Sequence, residues 1–190
     1  MRIITGKAKG IVLKTPAGEA TRPTAERVKE AVFSMLQFDI EGRKVLDLFA
    51  GTGQMGIEAL SRGSAEAVFV DKSKDAIKLI NENLQKVRLS EKASVFQADY
   101  LDFIKRNQSR AFDIIILDPP YAKKMYAPAL SAMLDASLIK PTTIIVCESG
   151  ADEIFDGNEA LKERFNIEKQ SKYSNTVITL LKLKEDSENE

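Results

Sequence analysis

Val45-Leu46-Asp47-Leu48-Phe49-Ala50-Gly51-Thr52-Gly53-Gln54-Met55-Gly56 decides the fold of this 190-residue chain. The apolar run over 45–49 predicts a strand, 50–53 a turn, and 54–62 a helix that Gly63 stops. Gly51, Gly53 and Gly56 match the spacing G-x-G-x-x-G letter for letter, and Asp71 ends the next predicted strand 20 residues after Gly51. Read literally, this is the fingerprint of a dinucleotide-binding loop.

Asp47 argues against that reading. It lies four residues before the first glycine, near the edge of the sheet where ligands bind. A carboxylate there would face a pyrophosphate badly. It suits a ligand with a cationic group, such as the amino group of S-adenosylmethionine. The glycines still make sense, because they let the backbone approach a cofactor closely.

Outward from this stretch, strand and helix alternate. Further strands are predicted at 67–70, 93–96, 112–117 and 142–147. Ser73 caps a helix whose apolar face is Ile77, Ile80, Leu84 and Val87, a short helix runs from Asp99 through Ile104, and another covers 127–138. Alternation with near-continuous apolar strands predicts a parallel sheet covered on both faces. Strands at 166–173 and 176–183 are separated only by Ser174-Asn175, which forces an antiparallel pair. Towards the N-terminus, Thr24 is expected to cap a helix to about Phe38, with Val28, Val32, Met35 and Leu36 facing the core. Residues 2–5 and 11–15 read as two short strands around the loop Gly6-Lys7-Ala8-Lys9-Gly10. So small a hairpin must lean on the main body or on a partner.

The most apolar short run, Ile114-Ile115-Ile116-Leu117, ends in Asp118-Pro119-Pro120-Tyr121. The prolines fix two φ angles and remove two donors, leaving a stiff loop with a carboxylate, spare carbonyls and a ring. That set fits a planar base bearing an amino group. Asp47, Asp71, Asp99 and Asp118 stand at four successive strand ends, where open α/β sheets bind ligands. Asp71 is placed to accept from ribose hydroxyls and Asp99 from an adenine amino group.

Composition narrows the chemistry. The chain has no histidine and one cysteine, Cys147, which excludes a Cys/His zinc site, a histidine triad and an intrachain disulfide. Composition alone leaves an all-carboxylate magnesium site open, and no metal is expected of the chemistry. Net charge is zero, but residues 1–29 hold seven Lys and Arg against Glu19 and Glu26. No apolar run approaches the ~20 residues of a membrane span. The expectation is a soluble cytoplasmic protein.

The chain resembles the class I S-adenosylmethionine-dependent methyltransferases. Asp47-Leu48-Phe49-Ala50-Gly51-Thr52-Gly53 looks like their first motif, and Asp118-Pro119-Pro120-Tyr121 looks like the fourth motif of those that methylate exocyclic amino groups. Three runs extend the match over nearly the whole chain. They are 2–10, Thr21-Arg22-Pro23-Thr24-Ala25-Glu26-Arg27 continuing to Phe33, and Gly56-Ile57-Glu58-Ala59-Leu60-Ser61-Arg62-Gly63. Together they look like the RsmD-type 16S rRNA guanine-N2-methyltransferases.

This resemblance implies a Rossmann-like, mostly parallel seven-stranded sheet with helices on both faces. An antiparallel C-terminal hairpin and a small N-terminal β-hairpin extension complete it. The expected division is 1–23 extension, 24–184 methyltransferase domain, and 185–190 an acidic disordered tail. Asp47, Phe49 and the loop Gly51, Gly53 and Gly56 would hold the methionine part of S-adenosylmethionine. Asp71 would hold the ribose and Asp99 the adenine, with Thr24 and Arg27 as further cofactor contacts. Asp118, Pro119 and Tyr121 would hold the target base. Lys7, Lys9, Arg22, Lys123 and Lys124 are candidates for RNA backbone contacts. The expected partner is small-subunit rRNA, a small ribosomal subunit or an assembly intermediate, met by a monomer. Gln54-Met55 departs from the small residues more usual after Gly53, and Asp71 stands where many relatives have Glu. The rival readings are a methyltransferase for DNA or a protein amide, an NAD-dependent oxidoreductase, and a non-catalytic RNA-binding module.

Overall fold

The computed structural model describes residues 1–16, 23–120, 124–150 and 154–185. Its strands are β1 (Lys44–Asp47), β2 (Glu66–Asp71), β3 (Ala93–Gln97), β4 (Phe112–Leu117), β5 (Ile139–Ser149), β6 (Phe165–Tyr173) and β7 (Thr176–Leu183). Its helices are α1 (Pro23–Met35), α2 (Gln54–Ser61), α3 (Lys74–Val87), α4 (Tyr100–Arg106), α5 (Tyr126–Asp135) and α6 (Glu159–Glu163). The strands form one seven-stranded sheet in the order β3-β2-β1-β4-β5-β7-β6. The first five pair parallel, and β7 runs antiparallel to both β5 and β6. The strand order reverses between β1 and β4, which makes the crevice above these two strands the expected ligand site.

Alternation along the strands splits the core in two. Val45, Ile114, Ile116 and Val146 pack on the face covered by α1, α2 and α3, while Leu46, Ile115, Leu117 and Cys147 pack on the face of α4 and α5. Both faces are dry, so the strands read as continuous apolar runs.

The structure corrects several expected boundaries. Helix α1 begins at Pro23, so Thr24 lies inside it and does not cap it. Proline suits the first helical position because its missing N–H would have no partner there. The helix ends at Met35, short of Phe38, whose side chain is 90% exposed and has no core to hold a further turn. Helix α5 stops at Asp135, whereas β5 runs from Ile139 to Ser149, longer than the predicted 142–147. The two N-terminal strands reduce to a single antiparallel bridge between Arg2 and Val12. A hairpin shape survives through Ile3 N–H to Ile11 O at 2.9 Å and Leu13 N–H to Met1 O at 2.7 Å.

That hairpin is fixed by side chains of the main body. Glu58 of α2 is fully buried. Its Oε2 accepts from Ile4 N–H at 2.8 Å, and its Oε1 accepts from Thr5 N–H at 3.1 Å and Arg62 Nε at 2.8 Å. The buried Lys29 of α1 lies 3.7 Å from Glu58 Oε2 and donates to Arg2 O at 2.6 Å. Burial pushes the Lys29 ammonium pKa down, and Glu58 opposes that shift. Ser61 donates to Thr5 O at 2.6 Å and accepts from Ala8 N–H at 3.0 Å. The backbones meet so closely that a Cβ on Gly6 would lie 1.8 Å from Ser61 O. Ile3, Ala8 and Leu13 then join the core of the α1–α3 face.

A second tether lies on α3. The buried Asn83 accepts from Lys14 N–H at 2.7 Å and donates to Lys14 O and to Thr52 O, each at 3.1 Å. One amide thus joins the strand leaving the hairpin to the glycine turn.

Removing Glu58 strands the Lys29 charge in the core. Glu58→Ala should lower the unfolding free energy by about 3–5 kcal/mol, measured from the denaturant midpoint. Replacing Glu58 and Lys29 together by Leu and Met should recover only part of that loss, because the Ile4 and Thr5 N–H groups and Arg62 remain without their acceptor. A single-variant midpoint equal to wild type would show that the latch carries no stability.

Candidate functional site

The sheet order sets the carboxylates side by side. Asp99 follows β3, Asp71 ends β2, Asp47 ends β1 and Asp118 follows β4, on four adjacent parallel strands. Asp47 is the deepest, at 2% exposure. Its Oδ2 accepts from Gly56 N–H at 3.0 Å, in the first turn of α2. Burial pushes its carboxyl up to about 7, the Gly56 N–H opposes that shift, and the nearby charge of Asp71 adds to it. Among the described residues no cation pairs with it.

The glycine turn is held by close packing and by Asp71. A Cβ on Gly56 would lie 2.3 Å from the Phe69 ring of β2, so only glycine lets α2 sit this near the sheet. Gly51 and Gly53 have φ of 53° and 75°, the left-handed region that glycine enters without strain. Asp71 Oδ2 accepts from Gly51 N–H at 2.9 Å and its Oδ1 from Ser73 N–H at 2.8 Å. Each oxygen keeps a second lone pair for a ligand. Asp99 caps α4 through Leu101 N–H at 3.0 Å and is exposed. Phe49, half-buried, meets the ring of Tyr100 at 5.2 Å between centroids. Tyr100 was missed from the sequence, although its position directly after Asp99 marked it as a neighbour of the row.

Asp118 is partly buried and the following Pro119 is buried. Burial raises the Asp118 carboxyl well above the usual carboxylate range, and the charges of Glu148 and Asp47 raise it further. Asp47 pairs in register with Ile116 of β4, so Asp118, two residues on, projects from the same sheet face. Asp47 and Asp118 therefore share one crevice at different depths.

The remaining expected residues scatter. Arg22, Tyr121 and Lys123 lie outside the described residues, as does the side chain of Thr24. Arg27 is exposed on α1. Lys7 and Lys9 are exposed on the hairpin tip, but Lys7 N–H is fixed to Ser61 O at 2.8 Å, at the end of α2 remote from the glycine turn. The eight residues of α2 put roughly 10 Å between that tip and the turn. Lys124 is bound to Asp156 at 2.7 Å, which offsets its charge. A cavity of about 440 Å³ opens beside Gly51 and Thr52 against Ser73, Lys78 and Glu82 of the α3 side, and none of the four aspartates lines it. It flanks the glycine turn without containing the carboxylate crevice.

The residues present fit S-adenosylmethionine. A buried carboxyl lacking a cation suits its ammonium group, and Gln54 Oε1, buried without a partner beside the turn, is a spare acceptor. Among the described residues no group of three or more His, Cys, Asp or Glu is arranged to hold a metal ion. No described helix is long and apolar enough to cross a membrane.

A seven-stranded sheet of this order, with a glycine turn after β1 and acids on the following strand ends, defines a class I methyltransferase. The family described as Conserved hypothetical protein 95 matches residues 1–182. The chain belongs to it, and so to the RsmD-type S-adenosylmethionine-dependent methyltransferases. The ribosomal RNA small subunit methyltransferase D of Haemophilus influenzae is 36% identical over 155 residues, covering 80% of each protein. The Bacillus subtilis protein YlbH is 39% identical over 150 residues, 78% of this chain and 82% of that one. A solved structure from Haemophilus influenzae has a TM-score of 0.80 at 30% identity, covering 97% of this chain and 98% of that chain. One from Escherichia coli, at 24% identity, has a TM-score of 0.83 and shares the fold across 98% of this chain and 99% of its own.

The raised carboxyl of Asp47 sets a proton balance. Its folded pKa of about 7 lies above the ordinary 3.8, so the folded state holds the proton between those values and the unfolded state does not. Asp47 therefore lowers stability as pH rises through that window. A cation placed against it reverses the preference and expels the proton. Calorimetric titration of S-adenosylmethionine at pH 6, in two buffers of different ionisation enthalpy, should show release of about one proton per site. Asp47→Asn should release none. Zero release by wild type would remove the cation from Asp47.

Proposed function

We propose that this protein methylates the exocyclic N2 amino group of a guanine in small-subunit ribosomal RNA. The observation that carries the proposal is the placement of Asp118, with the buried Pro119 after it, on the same sheet face as the deeper Asp47. The name of the Haemophilus influenzae relative supports the substrate class.

S-adenosylmethionine supplies an activated methyl group on a sulfonium centre. Asp47 and the 51–56 turn would hold its amino acid part, Asp71 its ribose and Asp99 its adenine. The protein then has to align a nitrogen with that methyl group, and orientation of this kind supplies on the order of 7–11 kcal/mol. A guanine amino nitrogen is a weak nucleophile because its lone pair is conjugated with the ring. Asp118 and the Pro119 carbonyl would accept its two hydrogens, drawing the lone pair out of conjugation and stabilising the positive charge that grows on nitrogen. The raised carboxyl of Asp118 also makes it a competent proton acceptor. Tyr121 would stack on the base, a contact worth ~1–3 kcal/mol. The base must leave its stack to reach so recessed a site. Arg22, Lys123 and Lys124 are proposed as phosphate contacts, with Lys124 first giving up Asp156. Lys7 and Lys9 would serve only an RNA broad enough to reach the far end of α2. Partners are thus an rRNA or a ribosomal particle, and the working unit is a monomer.

Methyl transfer from labelled S-adenosylmethionine to unmodified small subunits and to their naked rRNA tests this directly. The expected product after nucleoside analysis is N2-methylguanosine. Label on adenine or cytosine, or only on DNA or protein, would overturn the assignment.

A further inference from the structure

The parallel register of β4 and β5 brings a second carboxylate to the base end of the crevice. Leu117 pairs with Cys147 and Ile116 with Val146, so the next rung sets Asp118 beside Glu148. Both are two residues beyond Ile116 and Val146, so they project from the same face, the face that also carries Asp47. Neighbouring strands lie roughly 4.8 Å apart, close enough for the two side chains to converge on neighbouring donors of one base. Asp47 sits two rungs deeper, at the cofactor end.

Glu148 is held at this position by its own strand. It pairs with Ile178 of β7, and its carbonyl accepts from the Tyr126 hydroxyl. Its side chain is half-buried, and its charge is felt at Asp118. Two acids so close together oppose each other's ionisation, a cost that a ligand with adjacent N–H donors removes. Guanine is the base with that pattern. Its N1–H lies directly beside its N2 amino group, whereas adenine and cytosine present a lone pair beside theirs.

We propose that Glu148 is the residue that selects guanine, accepting from N1–H while Asp118 accepts from the neighbouring N2 amino group. The assignment rests on the guanine-N2 reading above and goes beyond it by naming what excludes the other bases. A carboxylate facing a ring lone pair is left unpaired and repelled, and a site built to hydrogen-bond one edge rejects analogues that lack the donor.

The test uses small-subunit rRNA rebuilt by ligation with either guanosine or 2-aminopurine ribonucleoside at the position wild type methylates. 2-Aminopurine keeps the amino group but carries a lone pair at N1. Wild type should prefer guanine by about 10²-fold in kcat/KM. Glu148→Gln, whose amide both donates and accepts, should bring that preference below about 10-fold, with cofactor affinity unchanged. Glu148→Ala is the second variant, because it adds no donor, and it too should reduce the preference. A merely structural role would lower both rates together and leave their ratio at the wild-type value, which would overturn the proposal. A wild type indifferent to the two bases would overturn it as well. Failure of the guanine-N2 reading is seen separately, as the absence of N2-methylguanosine from wild-type reactions.

Discussion

The site depends on a carboxyl held where water cannot stabilise its charge. Asp47 ends β1 under the glycine turn, where it accepts from Gly56 N–H and has a pKa lifted to about 7. Burying a charge without a counter-ion is costly, so such a group either takes up a proton or waits for a cation. The turn above it is shaped around this residue. Gly56 must be glycine because Phe69 lies against it, and the same close packing brings its N–H to the Asp47 carboxylate. The carboxylate, the turn and α2 therefore form one unit, and Asp71 completes it by binding Gly51 N–H.

Around that unit the N-terminal hairpin acts as a brace. Its strands make only one bridge, too few to hold a shape in water. Glu58 and Ser61 accept or donate where ladder partners are missing, and Asn83 extends the same device to the glycine turn through Thr52. Buried polar networks of this kind are costly when half satisfied and rigid when complete. The backbone leaving the hairpin and the cofactor turn are thereby held in one frame.

Much of this was legible in the sequence. Apolar runs, the cap at Ser73, and the two-residue link at Ser174-Asn175 pointed to the sheet and its C-terminal hairpin, because each is a local signal. The row of aspartates was legible too, since strand ends follow from strand boundaries. The partners of Glu58 and Asn83 were not. Both sit in helices, and their hydrogen bonds to the N-terminal hairpin join residues 53 to 69 positions apart. Glu148 was hidden for a simpler reason. The strand reading stopped at Cys147, the last strongly apolar residue, whereas β5 continues to Ser149 because β7 pairs with it. Likewise the lysines of the hairpin tip read as candidate RNA contacts, and only the anchor of Lys7 on Ser61 places them at the far end of α2.

The central claim is a division of labour between two acids on one sheet face, Asp47 for the cofactor and Asp118 for the nucleophile. Asp118→Asn separates them most directly, with cofactor dissociation constant and single-turnover methyl transfer measured on the same preparation. The account requires the transfer rate to fall by roughly 10²–10³-fold, the scale of a lost transition-state contact, while cofactor affinity stays within a few-fold of wild type. A loss of affinity as large as the loss of rate would contradict it.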